Sequence, residues 1–144
     1  ACASLDGHRF CSHDHAGLGR RPLGTIGPVL GLEVFKSGRT TGVTHGRITD
    51  VDADVTVGGY PDGPIDFKGQ IIVEPDDRAQ PFSRPGDSGS VVLAANGPAV
   101  GLLFGGSIVR TILNPINDVA IALGLDFGVH PLPNERDFLD LTID

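Results

Sequence analysis

Tryptophan and methionine are absent from this 144-residue chain and tyrosine occurs once, while glycine occurs 21 times and proline 11 times. A chain so provided is divided by many tight turns, and an all-β architecture is the first expectation. Cationic side chains are also scarce. Eleven Lys and Arg are scattered against 18 Asp and Glu, a net charge of −7, which argues against nucleic acid and anionic membrane as partners. No apolar run approaches the roughly 18 residues of a membrane-crossing helix. No basic-then-apolar start marks a signal peptide, though a processed chain would no longer carry one. The two cysteines, Cys2 and Cys11, lie near the start; if paired they would close one small loop and say nothing about the rest of the chain. With 40% hydrophobic residues, the length suits one domain with a real core.

What is present centres on Arg84-Pro85-Gly86-Asp87-Ser88-Gly89-Ser90, followed at once by Val91-Val92-Leu93. A serine between two glycines, after an aspartate and before a buried strand, suits acyl transfer in which backbone N–H groups hold the oxyanion. Gly86 leaves its amide uncovered, so the N–H groups of Gly86 and Ser88 can converge on one oxygen. Gly89 removes bulk behind the serine and permits backbone angles denied to a residue with a Cβ. Ser88 is therefore the candidate nucleophile. An ordinary turn between strands has the same composition, so the choice rests on three other stretches. Lys36-Ser37-Gly38-Arg39-Thr40-Thr41-Gly42 stands upstream; Val100-Gly101-Leu102-Leu103-Phe104-Gly105-Gly106-Ser107 and Thr111-Ile112-Leu113-Asn114-Pro115-Ile116 stand downstream.

In that order the four stretches resemble the second half of the trypsin-like serine proteases, most closely the bacterial streptogrisin and alpha-lytic protease branch, over residues 29–125. The resemblance implies an oxyanion hole at Gly86 and Ser88. It also implies a buried ion pair between Asp87 and Arg39, which stands where that branch places its arginine partner. Gly105 and Gly106 match the strand edge that pairs with an extended substrate backbone. Phe82, Ser83, Gly106 and Thr111 are expected to line the specificity pocket; none is charged, so a small or apolar side chain before the scissile bond is expected. Two positions depart from the pattern. Phe104 occupies the place where many relatives have a serine that bonds the catalytic aspartate, and His45 stands where secreted relatives have a disulfide cysteine.

Along the chain, residues 1–28 show neither period-2 nor helical patterning and read as an inter-barrel linker or arm. His8, Cys11, His13 and His15 within it match no standard zinc spacing, and neither metal nor cofactor is expected. Strands are expected at Leu32 to Lys36, Thr41 to Val57 (one long strand, or a hairpin broken near Asp50 to Asp54), Ile65 to Glu74, Val91 to Ala95, Ala99 to Phe104 and Ser107 to Leu113. Six strands with short connections fit a closed antiparallel Greek-key barrel. A helix follows, capped by Asn114 or Asn117, with Ile116, Val119, Ala120 and Leu123 at helical spacing and Gly124 as its stop. The barrel thus occupies residues 29–125, and residues 126–144 form an acidic tail.

The resembled proteases activate their serine with a histidine, held in turn by an aspartate, both from a first barrel. A six-stranded barrel needs roughly 50 residues, more than the arm provides. The expectation is accordingly the C-terminal half of a two-barrel serine endopeptidase, nearly inert alone, with peptides or proteins as substrates and the N-terminal barrel as partner. The exposed docking face would also permit self-association. The competing expectation is a pseudoprotease or peptide-binding module that keeps the cleft without the chemistry.

Overall fold

The computed structural model describes residues 22–125; the His8 to His15 cluster and the acidic tail lie outside them. Six strands run in the order β1 (Glu33–Gly38), β2 (Gly42–Val57), β3 (Ile65–Pro75), β4 (Val91–Ala94), β5 (Ala99–Gly106) and β6 (Thr111–Pro115), followed by α1 (Ile116–Leu123). They close into one barrel in the spatial order β1-β2-β3-β6-β5-β4, every pairing antiparallel. The all-β Greek-key expectation is met.

The core follows from strand alternation. Val34, Ile48, Ile71, Val73, Val92 and Leu113 point into the barrel together with Phe82 from the loop before the serine turn. Their strand neighbours Phe35, Leu93 and Ala99 face the other way and pack beneath Ile116 of α1. Each barrel wall is thus apolar on both faces where the helix covers it, which is why Val91-Val92-Leu93 reads as an unbroken apolar run.

Four local expectations need correction or refinement. β2 is one strand rather than a broken hairpin: the polar stretch at Asp50 to Asp54 is absorbed as register shifts between Ile48 and Val55, bulges that bend the strand without ending it. β6 starts at Thr111, not Ser107, because Ser107 Oγ accepts the N–H groups of Val109 and Arg110 and turns the chain there. Neither asparagine caps α1. Pro115 occupies the N-cap without a side-chain hydrogen bond, and Asn114 instead donates to Gln70 at 2.7 Å; Gly124 does end the helix, in the left-handed conformation. Finally, the end of the expected arm lies on the barrel. Ile26 N–H donates to Ala99 O and Ala99 N–H to Gly24 O, both at 2.9 Å, with Thr25 bridging parallel to Ala99. Among the described residues no helix is long and apolar enough to cross a membrane.

Candidate active site

The serine turn follows Phe82, whose buried ring anchors its start. Asp87 N–H donates to Arg84 O at 3.0 Å and Ser90 N–H to Asp87 O at 3.1 Å, two consecutive tight turns that alternate the side chains. Asp87 turns inward and Ser88 stands exposed. Gly86 and Gly89 have φ of +102° and +90°, angles that a residue with a Cβ resists. At Gly89 the angle is the whole reason, since a Cβ there would meet nothing within 4 Å; the expectation that bulk also mattered does not hold. The N–H groups of Gly86 and Ser88 have no partner among the described residues, and neither does the Ser88 hydroxyl. Two free donors and one free hydroxyl thus stand together on one turn, the group types that an oxyanion hole draws on.

Asp87 fixes this turn from below. Its carboxylate accepts Thr40 N–H (2.7 Å), Thr41 N–H (3.2 Å), Thr41 Oγ1–H (2.7 Å) and Arg84 N–H (3.0 Å). Its ion partner is not Arg39 but Lys36, whose Nζ lies 3.5 Å away with both side chains fully buried. Lys36 Nζ also donates to Gly42 O at 3.2 Å and to the Thr41 hydroxyl. The expected Arg39–Asp87 pair fails because Lys36 leaves β1 on the same face as buried Val34 and reaches Asp87 from inside the barrel, whereas Arg39 lies exposed in the turn after β1. The tight packing explains Gly38: a Cβ there would collide with the Asp87 carboxylate, 2.7 Å from its Cγ.

Burial alone would raise the Asp87 carboxyl, but the Thr41 hydroxyl and the Arg84, Thr40 and Thr41 amides outweigh it and lower its pKa to about 2. Burial lowers Lys36, against the opposing pull of Asp87. A carboxylate depressed on folding stabilises above its unfolded pKa and loses that contribution as pH falls through the folded one. Asp87 is thus expected to contribute about 2 kcal/mol that disappears between about pH 4 and about pH 2. Urea unfolding across this range checks it; Asp87→Asn should flatten that part of the profile, and an equally steep profile in the variant would assign the acid sensitivity elsewhere.

Two cavities meet at Ser88. One, of about 420 Å³, is lined by Ser83, Arg84, Pro85, Leu103, Gly105, Gly106 and Ile108 among others. Ser83 and Gly106 stand where the sequence places them, but Phe82 and Thr111 do not line this cavity. Phe82 belongs to the core, and Thr111 is buried behind the wall, where its hydroxyl bonds that of Ser83 at 2.7 Å. Arg84, Pro85, Leu103, Ser107 and Ile108 are lining residues that the sequence reading missed, and Arg84 brings a charge that the expected lining lacked. The second cavity, of about 380 Å³, is lined by Ser37, Arg39, Gly86, Gly89, Ser90 and Val91.

The strand edge beside Ser88 is open. β4 pairs with β5 as far as Leu102, and Leu103 exchanges hydrogen bonds with Gly89 and Ser90 at 2.7 and 3.0 Å. Beyond it, Phe104 to Gly106 carry no strand on the β4 side. Phe104 turns its ring away onto Phe67, centroids 4.8 Å apart. Among the described residues the histidine is His45, stacked on Phe35 at 6.0 Å and not bonded to Ser88.

No family model matches the chain, and no curated protein does. Solved structures do. A chymotrypsin of Cellulomonas bogoriensis is 32% identical with a TM-score of 0.61, the match covering 76% of this chain and 56% of that one. A Nocardiopsis protease is 25% identical at 0.58, covering 74% and 53%, and protease A of Thermobifida fusca is 24% identical at 0.63, covering 81% and 59%. The chain therefore spans between a half and three-fifths of the length of these structures. In its strand order, its serine turn and these likenesses, the chain is one barrel of the trypsin-like, streptogrisin-type chymotrypsin fold that bacterial serine proteases share.

Proposed function

We propose that the chain is the C-terminal half of a trypsin-like serine endopeptidase. Ser88 attacks the scissile carbonyl, the N–H groups of Gly86 and Ser88 receive the oxyanion, and Asp87 with its partners holds the turn in that shape. A histidine and an aspartate from an N-terminal barrel supply the base. The substrate is a peptide laid along Phe104, Gly105 and Gly106 by β-augmentation, its side chain before the scissile bond entering the cavity beside Ser83 and Arg84. The observation that carries the reading is the pair of N–H groups without a partner among the described residues, beside an exposed serine hydroxyl that likewise has none among them.

The second reading, a peptide-binding module, is favoured by Phe104 in place of the supporting serine and by the absence of a base near Ser88 among the described residues. A fluorophosphonate probe separates the two. The chain alone should label slowly or not at all, since an unassisted serine hydroxyl is a weak nucleophile. Addition of an N-terminal barrel carrying the base should restore labelling by several powers of ten, all of it at Ser88 and none in Ser88→Ala. No labelling with the base in place would leave the binding module as the function.

A further inference from the structure

Because Lys36 holds Asp87, Arg39 has nothing to do inside the barrel. It is exposed and forms neither an ion pair nor a hydrogen bond among the described residues. It is nevertheless not directed at random: its Nη2 would lie 2.8 Å, and its Nε 3.5 Å, from a Cβ built on Gly86. The guanidinium thus sits against the residue whose N–H faces the reacting carbonyl. It also lines the second cavity, which shares Ser88 with the first and otherwise has a separate lining. A peptide whose residue before the scissile bond fills the first cavity, with its preceding backbone along Gly105 and Gly106, leaves the second cavity, bordered by Gly86, for its leaving portion.

We propose that Arg39 is a specificity-determining residue that binds a carboxylate on the leaving-group side of the peptide. The inference rests on the peptide cleft proposed above and adds the chemistry recognised beyond the scissile bond. A guanidinium offers two parallel N–H donors matched to a carboxylate, and no acidic side chain of the described residues occupies them. The carboxylate can come from a Glu or Asp side chain one or two positions after the scissile bond, or from a peptide C-terminus at that place.

Binding to the chain carrying Ser88→Ala, which cannot turn substrate over, tests this without catalysis. Four peptides share one apolar residue at the cleavage position. Two are blocked at both ends and carry Glu or Gln at the second following position; two stop there with a free carboxylate or an amide. A carboxylate peptide should bind roughly tenfold more tightly than its neutral counterpart, with a preference that shrinks as salt rises. Whichever pair shows the larger preference identifies the side chain or the C-terminus as the source. Adding Arg39→Gln should reduce the preference to less than twofold while leaving thermal stability unchanged, and Arg39→Lys should restore only part of it. Equal binding of all four peptides, or a preference that survives Arg39→Gln, overturns the inference while leaving the cleft intact. Failure of all four to bind overturns the cleft itself, and this inference with it.

Discussion

Lys36→Met is expected to lower the free energy of unfolding by about 3–5 kcal/mol, the cost of removing one partner from a buried ion pair. Methionine keeps most of the lysine's length and fits the apolar surroundings of Val34 and Phe82, so the loss reports the charge rather than a cavity. The uncompensated group is Asp87, buried with its side chain fully covered. Its four remaining donors, from Thr40, Thr41 and Arg84, place the effect toward the lower end of that range. Urea denaturation at neutral pH measures it. The double variant Lys36→Met, Asp87→Asn should recover much of the loss, because it removes the stranded charge as well. A loss below about 1 kcal/mol, typical of exposed pairs, would mean that the four hydrogen bonds hold Asp87 unaided.

Gly38→Ala is expected to lower the reactivity of Ser88 in the proposed two-barrel protease by about 10²–10³-fold, the loss that follows from disabling one oxyanion donor. The added methyl would occupy the space of the Asp87 carboxylate, 2.7 Å from its Cγ and 3.1 Å from its Cβ. Neighbouring atoms cannot yield cheaply, because the carboxylate is fixed by the amides of residues 40, 41 and 84. Asp87 must therefore shift, and Gly86 and Ser88 on either side of it shift too. Gly58→Ala is the control, since a Cβ there meets nothing within 4 Å. Single-turnover phosphonylation by a fluorophosphonate, with loss of fluoride, in the presence of the proposed N-terminal barrel reads the effect. Unchanged phosphonylation would show that the turn keeps its shape without Asp87 in place.

Both variants lie in β1, where sequence and structure part most clearly. The strands themselves were legible: alternation at Val34, the run Ile71-Ile72-Val73 and the glycine-rich turns carry the barrel, and Gly86 to Gly89 mark the turn that exposes Ser88. Lys36 was not legible as a buried group because a lysine in a short strand ordinarily marks the solvent face. The signal available was its parity. Lys36 stands two residues from Val34, and side chains two apart share one face of a strand, so an inward Val34 requires an inward Lys36. Arg39 looked like the ion partner by position in a sequence pattern, whereas reach and direction from the strand select Lys36. The start of β6 was hidden for a different reason: the Ser107 hydroxyl competes with the ladder for the Val109 and Arg110 amides, and apolar Ile108 and Val109 gave no warning of it.

The gap where β4 stops short of β5 has a consequence for the molecule in solution. Phe104 to Gly106 form a rail of three residues, about 10 Å long at roughly 3.3 Å per residue, and the strands that close the barrel shield the rest of their ladders. Amyloid-like stacking draws on segments of about six or seven residues. A rail of three falls short of that length. It ends, moreover, at Gly106, whose φ of +147° bends the backbone away from a straight continuation. The open edge is thus shorter than the segments on which amyloid-like stacking draws.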